Sequence, residues 1–148
     1  MKRINEMKLT FKSRSANESF ARTAVSAFIA TLDPTVDELT DIKTAVSEAV
    51  TNCVVHGYRD TLDSIYINAA IYPNNRVVIR IRDKGCGIED IKKAMEPLYT
   101  TCKNEERAGL GFAVMQSLCD GVKVTSAPGR GTTVTLSKKI SSKGGYDG

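Results

Sequence analysis

The sequence lacks any long apolar run. Its 148 residues include no tryptophan and only one histidine. No apolar stretch approaches the roughly 20 residues that a membrane-spanning helix needs. The N-terminus alternates polar and apolar residues, without the apolar centre of a signal peptide. We therefore expect a protein that does not span a membrane and that works in the cytoplasm.

The sequence also lacks a dense basic block. It has 21 Lys and Arg against 17 Asp and Glu, a formal net charge of +4. The basic runs are pairs such as Lys92-Lys93 and Lys138-Lys139. No basic segment is interleaved with aromatic residues, which is the pattern typical of nucleic-acid-binding proteins. We expect no direct contact with nucleic acid.

Metal-binding cysteine patterns are absent as well. The cysteines are widely and irregularly spaced, at Cys53, Cys86, Cys102 and Cys119. No CxxC motif occurs, and the single histidine lies at no ligand spacing from any cysteine, which argues against structural zinc. Free thiols in a reducing compartment are the prediction.

The patterns that are present predict one mixed domain. We expect residues 1–140 to fold together and the polar, glycine-rich residues 141–148 to form a disordered tail. Alternating apolar residues predict strands at 7–11, 65–71, 77–81, 122–124 and 133–136. Helical spacing predicts helices at 15–32, 36–57, 88–95 and 112–119. Because this order has no βαβ alternation, we predict an α+β fold, a two-layer sandwich of helices over a mainly antiparallel sheet.

The helix predicted at 36–57 has clear signals at both ends. Thr35 and Glu38 have the spacing of a capping box, which starts the helix at Val36. Gly57 suits the left-handed residue that follows a helix end.

A polar face runs along this helix beside its apolar stripe. Glu48, Asn52 and His56 recur every four residues and therefore stack on one side. A carboxylate and an amide beside the core need partners, which could be metal, phosphate or water. A polar edge that is only solvated is the alternative. For His56 we favour a residue that makes a hydrogen bond at the helix end over a catalytic role.

The motif Asp83-x-Gly85-x-Gly87 follows a predicted strand. Its glycines let backbone approach a flat ligand, while the carboxylate can accept a hydrogen bond from an exocyclic amine. An ordinary turn between a strand and a helix explains the motif about equally well.

A second glycine motif, Gly109-Leu110-Gly111, precedes the last predicted helix. Glycine amides at a helix N-terminus form an anion site, although ordinary loops also contain such pairs. The polar residues 98–108 before it predict a mobile loop. The Walker A pattern GxxxxGK[ST] does not occur.

In combination and order, these features resemble the GHKL (Bergerat-type) ATP-binding family of histidine kinases, gyrase, Hsp90 and MutL. Within it, the chain is most similar to the sporulation anti-sigma F factors, from about residue 5 to residue 139. The segments that carry this resemblance are VSEAVTN (46–52), HGY (56–58), PLYTT (97–101) and ERAGLGF (106–112).

The resemblance implies roles around the phosphates of Mg-ATP. Asn52 would hold Mg²⁺, a hard cation that takes few protein ligands, and Glu48 would act as general base or orient the nucleophile. Arg107 would reach the terminal phosphate. The lid and phosphate cradle would comprise Thr100, Thr101, Gly109, Leu110 and Gly111. Family lids commonly read TTK, whereas here the lysine is displaced by Cys102 to position 103.

The resemblance also implies an adenine pocket. Asp83 would accept a hydrogen bond from the adenine amine, with Gly85 and Gly87 allowing the close approach. Either Thr132 or Thr133 would complete the pocket.

For the whole protein, the resemblance implies a dimeric anti-sigma factor and protein serine kinase. It would sequester a sporulation sigma factor and phosphorylate a serine of an anti-anti-sigma protein, with ATP or ADP biasing which partner is held. Arg22 would contact a partner, although a solvated helix arginine is nearly as good an interpretation. The alternative function is a nucleotide-gated protein-binding module or ATPase without protein kinase activity. A basic interaction domain that binds no nucleotide is disfavoured by the glycine motifs.

Overall fold

A single antiparallel sheet forms one layer of the molecule. The computed structural model describes residues 2–58, 61–87 and 103–141, with only the backbone for 103–109. The sheet has five strands in the order β1-β2-β3-β5-β4, and every neighbouring pair is antiparallel. The strands are β1 (Asn5–Lys12), β2 (Ser64–Tyr72), β3 (Arg76–Asp83), β4 (Gly121–Ala127) and β5 (Gly131–Lys139). All five strands were predicted from alternation.

Among the described residues, three α-helices form the second layer. They are α1 (Asn17–Ile29), α2 (Val36–Asn52) and α3 (Lys103–Leu118). Helix α2 packs against both α1 and α3, and its apolar stripe joins the inward residues of the sheet in one buried core. The predicted two-layer α+β fold is confirmed. The helix predicted at 88–95 and most of the predicted tail lie outside the described residues.

The start of α2 is the predicted capping box. The Thr35 hydroxyl accepts from the Glu38 amide at 3.1 Å, and the Glu38 carboxylate accepts from the Thr35 amide at 2.9 Å. At its other end, α2 continues into a π-helical turn, Cys53–Gly57. Gly57 does not have a positive φ, so the predicted left-handed cap is wrong. A wider π-helical turn ends the helix instead.

Helix α3 begins earlier than the sequence suggested. It starts at Lys103, so the loop prediction for 98–108 is wrong from that residue onward. The segment KNEERA is rich in good helix formers, and such a polar stretch needs no apolar periodicity to be helical. Gly109 and Gly111 consequently lie inside α3, where amides bond within the helix. The two glycines therefore do not stand at the helix N-terminus, where the sequence pattern placed them.

Neither membrane-spanning helices nor paired cysteines occur in the described part of the chain. No helix there combines the length and apolar character needed to cross a bilayer. Cys53, Cys86 and Cys119 are free thiols, and Cys102 lies outside the described residues.

Candidate functional site

Glu48 and Asn52 meet α3 at Gly111. A Cβ atom added to Gly111 would lie 3.2 Å from Glu48 Oε2, 3.2 Å from Asn52 Oδ1 and 3.3 Å from Asn52 Nδ2. The two side chains, one helical turn apart on α2, thus face the α3 backbone with little space between them. The structure brings together three of the predicted site residues here.

The Asn52 amide has unused hydrogen-bonding capacity. Its Nδ2 is buried and has no partner among the described residues. Buried polar groups are normally satisfied, so an orphaned amide group marks a place where a ligand can supply the missing contact. Either end of the amide could face that ligand, because oxygen and nitrogen are assigned by their contacts.

This donor set fits Mg²⁺ carried by a phosphate ligand. Within the described ranges, no group of three or more His, Cys, Asp or Glu side chains could hold a metal ion. Mg²⁺ usually binds through one or two protein oxygens together with waters and substrate phosphates, rather than through a full protein cage. One amide with a neighbouring carboxylate is consistent with that mode.

Asp83 is a buried carboxylate at the end of β3. It is 3% exposed, and its Oδ1 accepts from the Gly85 amide at 2.9 Å. The Cys53 thiol and the Thr132 amide also donate to this carboxylate. The side chain points to the helical side of the sheet, under the π-helical turn that ends α2. It is therefore held in one orientation by three different segments.

Burial changes the proton affinities of Asp83 and Cys53. Desolvation raises the pKa of Asp83 above its ordinary value, although hydrogen bonds from Gly85, Cys53 and Thr132 act in the opposite direction. Burial raises the pKa of Cys53 well above the usual thiol range, and the Asp83 carboxylate adds to that effect. Cys53 is thus a neutral thiol that can donate a hydrogen bond to Asp83.

The glycines around Asp83 are required by close approach. A Cβ at Gly57 would lie 2.7 Å from Asp83 Oδ2, and one at Gly85 would overlap the Gly57 carbonyl. Gly87 has a φ of +76° and packs on the Ala127 carbonyl. Gly57 therefore leaves bare backbone against the carboxylate, and Gly85 and Gly87 pack directly on backbone carbonyls.

The sheet register separates the two candidate threonines. Thr132 lies opposite Asp83, and its hydroxyl shares a 2.8 Å hydrogen bond with Ser126. Thr133 lies opposite Arg82, whose side chain is exposed on the other face. Because adjacent strand residues point to opposite faces, the structure brings Thr132 to Asp83 and places Thr133 away from it.

The other predicted site residues are not joined to this cluster by a described contact. Leu110 is 51% exposed on α3. Arg107 and Gly109 belong to the part of α3 described by backbone alone, and Thr100 and Thr101 lie outside the described residues.

Sequence reasoning missed Cys53 and Tyr58. Cys53 looked like one more residue of the apolar stripe, and no pattern signals a thiol that bonds a carboxylate 30 positions later. Tyr58 was noticed only as part of the HGY segment. Its 2.6 Å bond to the Lys84 amide crosses between segments that sequence alone does not place together.

The raised pKa of Asp83 predicts a stability difference that depends on pH. The folded protein holds the Asp83 proton more tightly than the unfolded chain, whose ordinary value is 3.8. This residue's contribution to stability is therefore fully present below pH 3.8 and is lost as pH rises through the higher folded value. We expect Asp83→Asn, which cannot ionise, to gain stability relative to the unsubstituted protein over that interval.

Urea unfolding of both proteins across a pH series measures this difference. Asp63→Asn, which makes the same substitution at an exposed aspartate, is the matched control. If the stability of Asp83→Asn relative to the unsubstituted protein stays constant or falls as pH rises, the inferred cost of burying the charge is contradicted.

Comparison with known proteins identifies relatives over nearly the whole chain. Residues 11–138 match the family model described as "Histidine kinase-like ATPase domain". The anti-sigma F factor of Thermoanaerobacter sp. strain X514 is 56% identical over 142 residues, covering 96% of this chain and 99% of the relative. The anti-sigma F factor of Clostridium beijerinckii is 51% identical over 136 residues, covering 92% and 95%.

The fold has a solved counterpart. A crystal structure of RsbU and RsbW domains from Mycobacterium tuberculosis superposes with a TM-score of 0.68 at 21% identity. The match covers 92% of this chain and 32% of the other. At that identity the likeness concerns the fold alone.

Proposed function

Because the chain belongs to the anti-sigma F factors of the histidine kinase-like ATPase family, we propose that it is a nucleotide-dependent protein serine kinase. It binds a sporulation sigma factor and uses Mg-ATP to phosphorylate a serine of an anti-anti-sigma protein. The observation that carries this proposal is the meeting at Gly111 of the Glu48 carboxylate and the Asn52 amide, whose Nδ2 has no partner among the described residues. Phosphoryl transfer depends on a positioned metal ion and an oriented nucleophile, and a metal ligand and a base side by side would supply both.

The phosphates would lie between α2 and α3. Asn52 would hold Mg²⁺, which on binding neutralises phosphate charge. Glu48 would accept the proton of the attacking serine hydroxyl or orient that hydroxyl. Arg107 would reach the terminal phosphate with a charge that persists at every physiological pH.

The segment around α3 would cover the nucleotide. The residues proposed to contact phosphates or close over them are Thr100, Thr101, Gly109, Leu110 and Gly111. Gly111 has support from the structure, since its missing side chain leaves the α3 backbone beside Asn52. ATP and ADP would favour different arrangements of this segment and thereby different partners.

The adenine base would be bound at the other end of the site. Asp83 would accept from the exocyclic amine, and the bare backbone at Gly85 and Gly87 would contact the base. Thr132, which already donates its amide to Asp83, is the threonine we assign to this pocket.

Partner binding would use α1, and the protein would pair with a second copy of itself. Arg22 has a side chain 42% exposed, and it bonds only weakly within its helix, to Glu18 at 3.4 Å and to Ser19 at 3.3 Å. Surface pairs of this kind contribute little to stability, so a partner carboxylate could replace them at low cost. We propose that the protein acts in the cytoplasm as a homodimer.

A transfer assay tests the proposal. The protein is incubated with γ-labelled ATP, Mg²⁺ and a candidate anti-anti-sigma protein, and label is followed on the substrate serine. We expect label on the substrate and none when that serine is replaced by alanine. ATP binding without any labelled substrate would instead support a nucleotide-gated binding module, and released phosphate alone would support an ATPase.

A further inference from the structure

Tyr58 is a buried tyrosine whose hydroxyl links β2 to Lys84, the residue that follows Asp83. The residue is 6% exposed. Its hydroxyl donates to the Ser64 carbonyl at 2.8 Å and accepts from the Lys84 amide at 2.6 Å. Burial raises the pKa of Tyr58, so the hydroxyl keeps the proton that it donates. Because Lys84 follows Asp83 directly, one side chain fixes the backbone beside the carboxylate.

The Tyr58 hydroxyl occupies the place of a backbone hydrogen bond that would extend the pairing of β2 with β3. Tyr66 lies opposite Arg82 in the β2–β3 ladder. Two residues further, the same register would set Ser64 opposite Lys84, with N–H and C=O able to pair directly. The Tyr58 oxygen lies between those two groups instead. It therefore bridges β2 and Lys84 where the chain leaves β3 and turns through Gly85.

A second contact reaches Asp83 from the same turn. The Cys53 thiol donates to the Asp83 carboxylate, and both residues are 3% exposed. The Tyr58 amide donates to the Cys53 carbonyl at 2.9 Å. Thiol and phenol are thus linked through one short turn, with Gly57 between them and in contact with the carboxylate.

We propose that Tyr58 and Cys53 are positioning residues for recognition of the exocyclic amine of adenine, acting through Asp83. This inference rests on the proposed nucleotide site. Tyr58 sets the backbone from which the carboxylate leaves the strand, and Cys53 sets the direction of its oxygens. A carboxylate held in this way accepts a hydrogen bond in a fixed direction, which favours a base that carries an amine over one that does not.

The test compares two nucleotides that differ only in this amine. Dissociation constants are measured for ATP and for purine riboside 5′-triphosphate, which lacks the 6-amino group, on the full chain with Mg²⁺. We expect Tyr58→Phe to weaken ATP binding about fivefold, as expected for a misdirected hydrogen bond, and to leave the analogue nearly unchanged. Tyr66→Phe removes a tyrosine hydroxyl from β2 and is the matched control. It should preserve the preference for ATP.

Each outcome separates positioning from a merely structural role. Equal weakening of both nucleotides, or an unchanged preference, would overturn the assignment of Tyr58. If Tyr58→Phe does not fold, as judged by circular dichroism, variants at Cys53 provide the test. Cys53→Ala should reduce the preference for ATP. Cys53→Ser, which keeps a hydrogen-bond donor, should retain the preference. Identical effects of the two Cys53 variants would reject the proposal.

The same measurements identify a failure of the proposed function. If the unsubstituted protein binds both nucleotides equally, Asp83 does not recognise the amine and the adenine assignment falls. If it prefers ATP and the variants at Tyr58 and Cys53 keep that preference, the site stands and the positioning roles are wrong.

Discussion

Asp83→Ala is expected to lower the affinity for both ATP and ADP by about 10- to 100-fold. Hydrogen bonds to charged groups contribute about 1.5–3 kcal/mol, and each 1.4 kcal/mol is tenfold in affinity. The effect should be large because the carboxylate is 3% exposed and water cannot easily replace it. Titration calorimetry with each nucleotide measures the loss.

Asp63→Ala is the matched control for this variant. Asp63 also accepts from a backbone amide, that of Ser64 at 2.7 Å, but it is exposed and is assigned no ligand. Its affinities should equal those of the unsubstituted protein. Unchanged ATP affinity in Asp83→Ala, with the fold intact by circular dichroism, would remove Asp83 from the adenine site.

Glu48→Gln is expected to keep nucleotide binding and to lose phosphoryl transfer. The amide preserves the shape of the side chain facing Gly111 but cannot take a proton. Removing a general base typically costs 10²–10⁴-fold in rate. Single-turnover transfer of labelled phosphate to the serine substrate measures the rate, and calorimetry with ATP measures binding separately.

The control for this variant lies on the same helix. Asp37→Asn changes an exposed carboxylate in the first turn of α2, far from the proposed phosphates, and should transfer at the normal rate. Transfer by Glu48→Gln at the rate of the unsubstituted protein would exclude Glu48 as the base. A loss of ATP binding comparable to the loss of rate would instead assign Glu48 to ground-state binding.

Local patterns predicted the framework of the site well. The capping box at Thr35 and the four-residue spacing of Glu48 and Asn52 depend only on helix geometry, so the sequence placed both residues on one face of α2. Alternation gave the strands for a similar reason, since period two is a property of one strand. For α3, local reasoning failed because a polar segment of good helix formers has neither an apolar period nor a cap to mark its start.

Contacts between distant segments could not be predicted in this way. The choice between Thr132 and Thr133 depends on register, which sets Thr132 opposite Asp83. The need for glycine at position 57 arises from its approach to the Asp83 carboxylate, and not from the left-handed conformation that the helix end suggested. The first fact depends on how β3 pairs with β5, and the second depends on how the end of α2 lies over the sheet. Neither is set by a local pattern.

The sequence by itself determined the α+β fold, the helix that carries Glu48 and Asn52, and the resemblance that led to the family. Those features follow from periodicity, capping and motif order, all of which act within a few residues or are read directly from the chain. The tertiary structure decided how Asp83 is held. Gly85, Cys53 and Thr132 donate to it from three segments, because packing α2 onto the sheet buries a carboxylate that then needs hydrogen-bond donors.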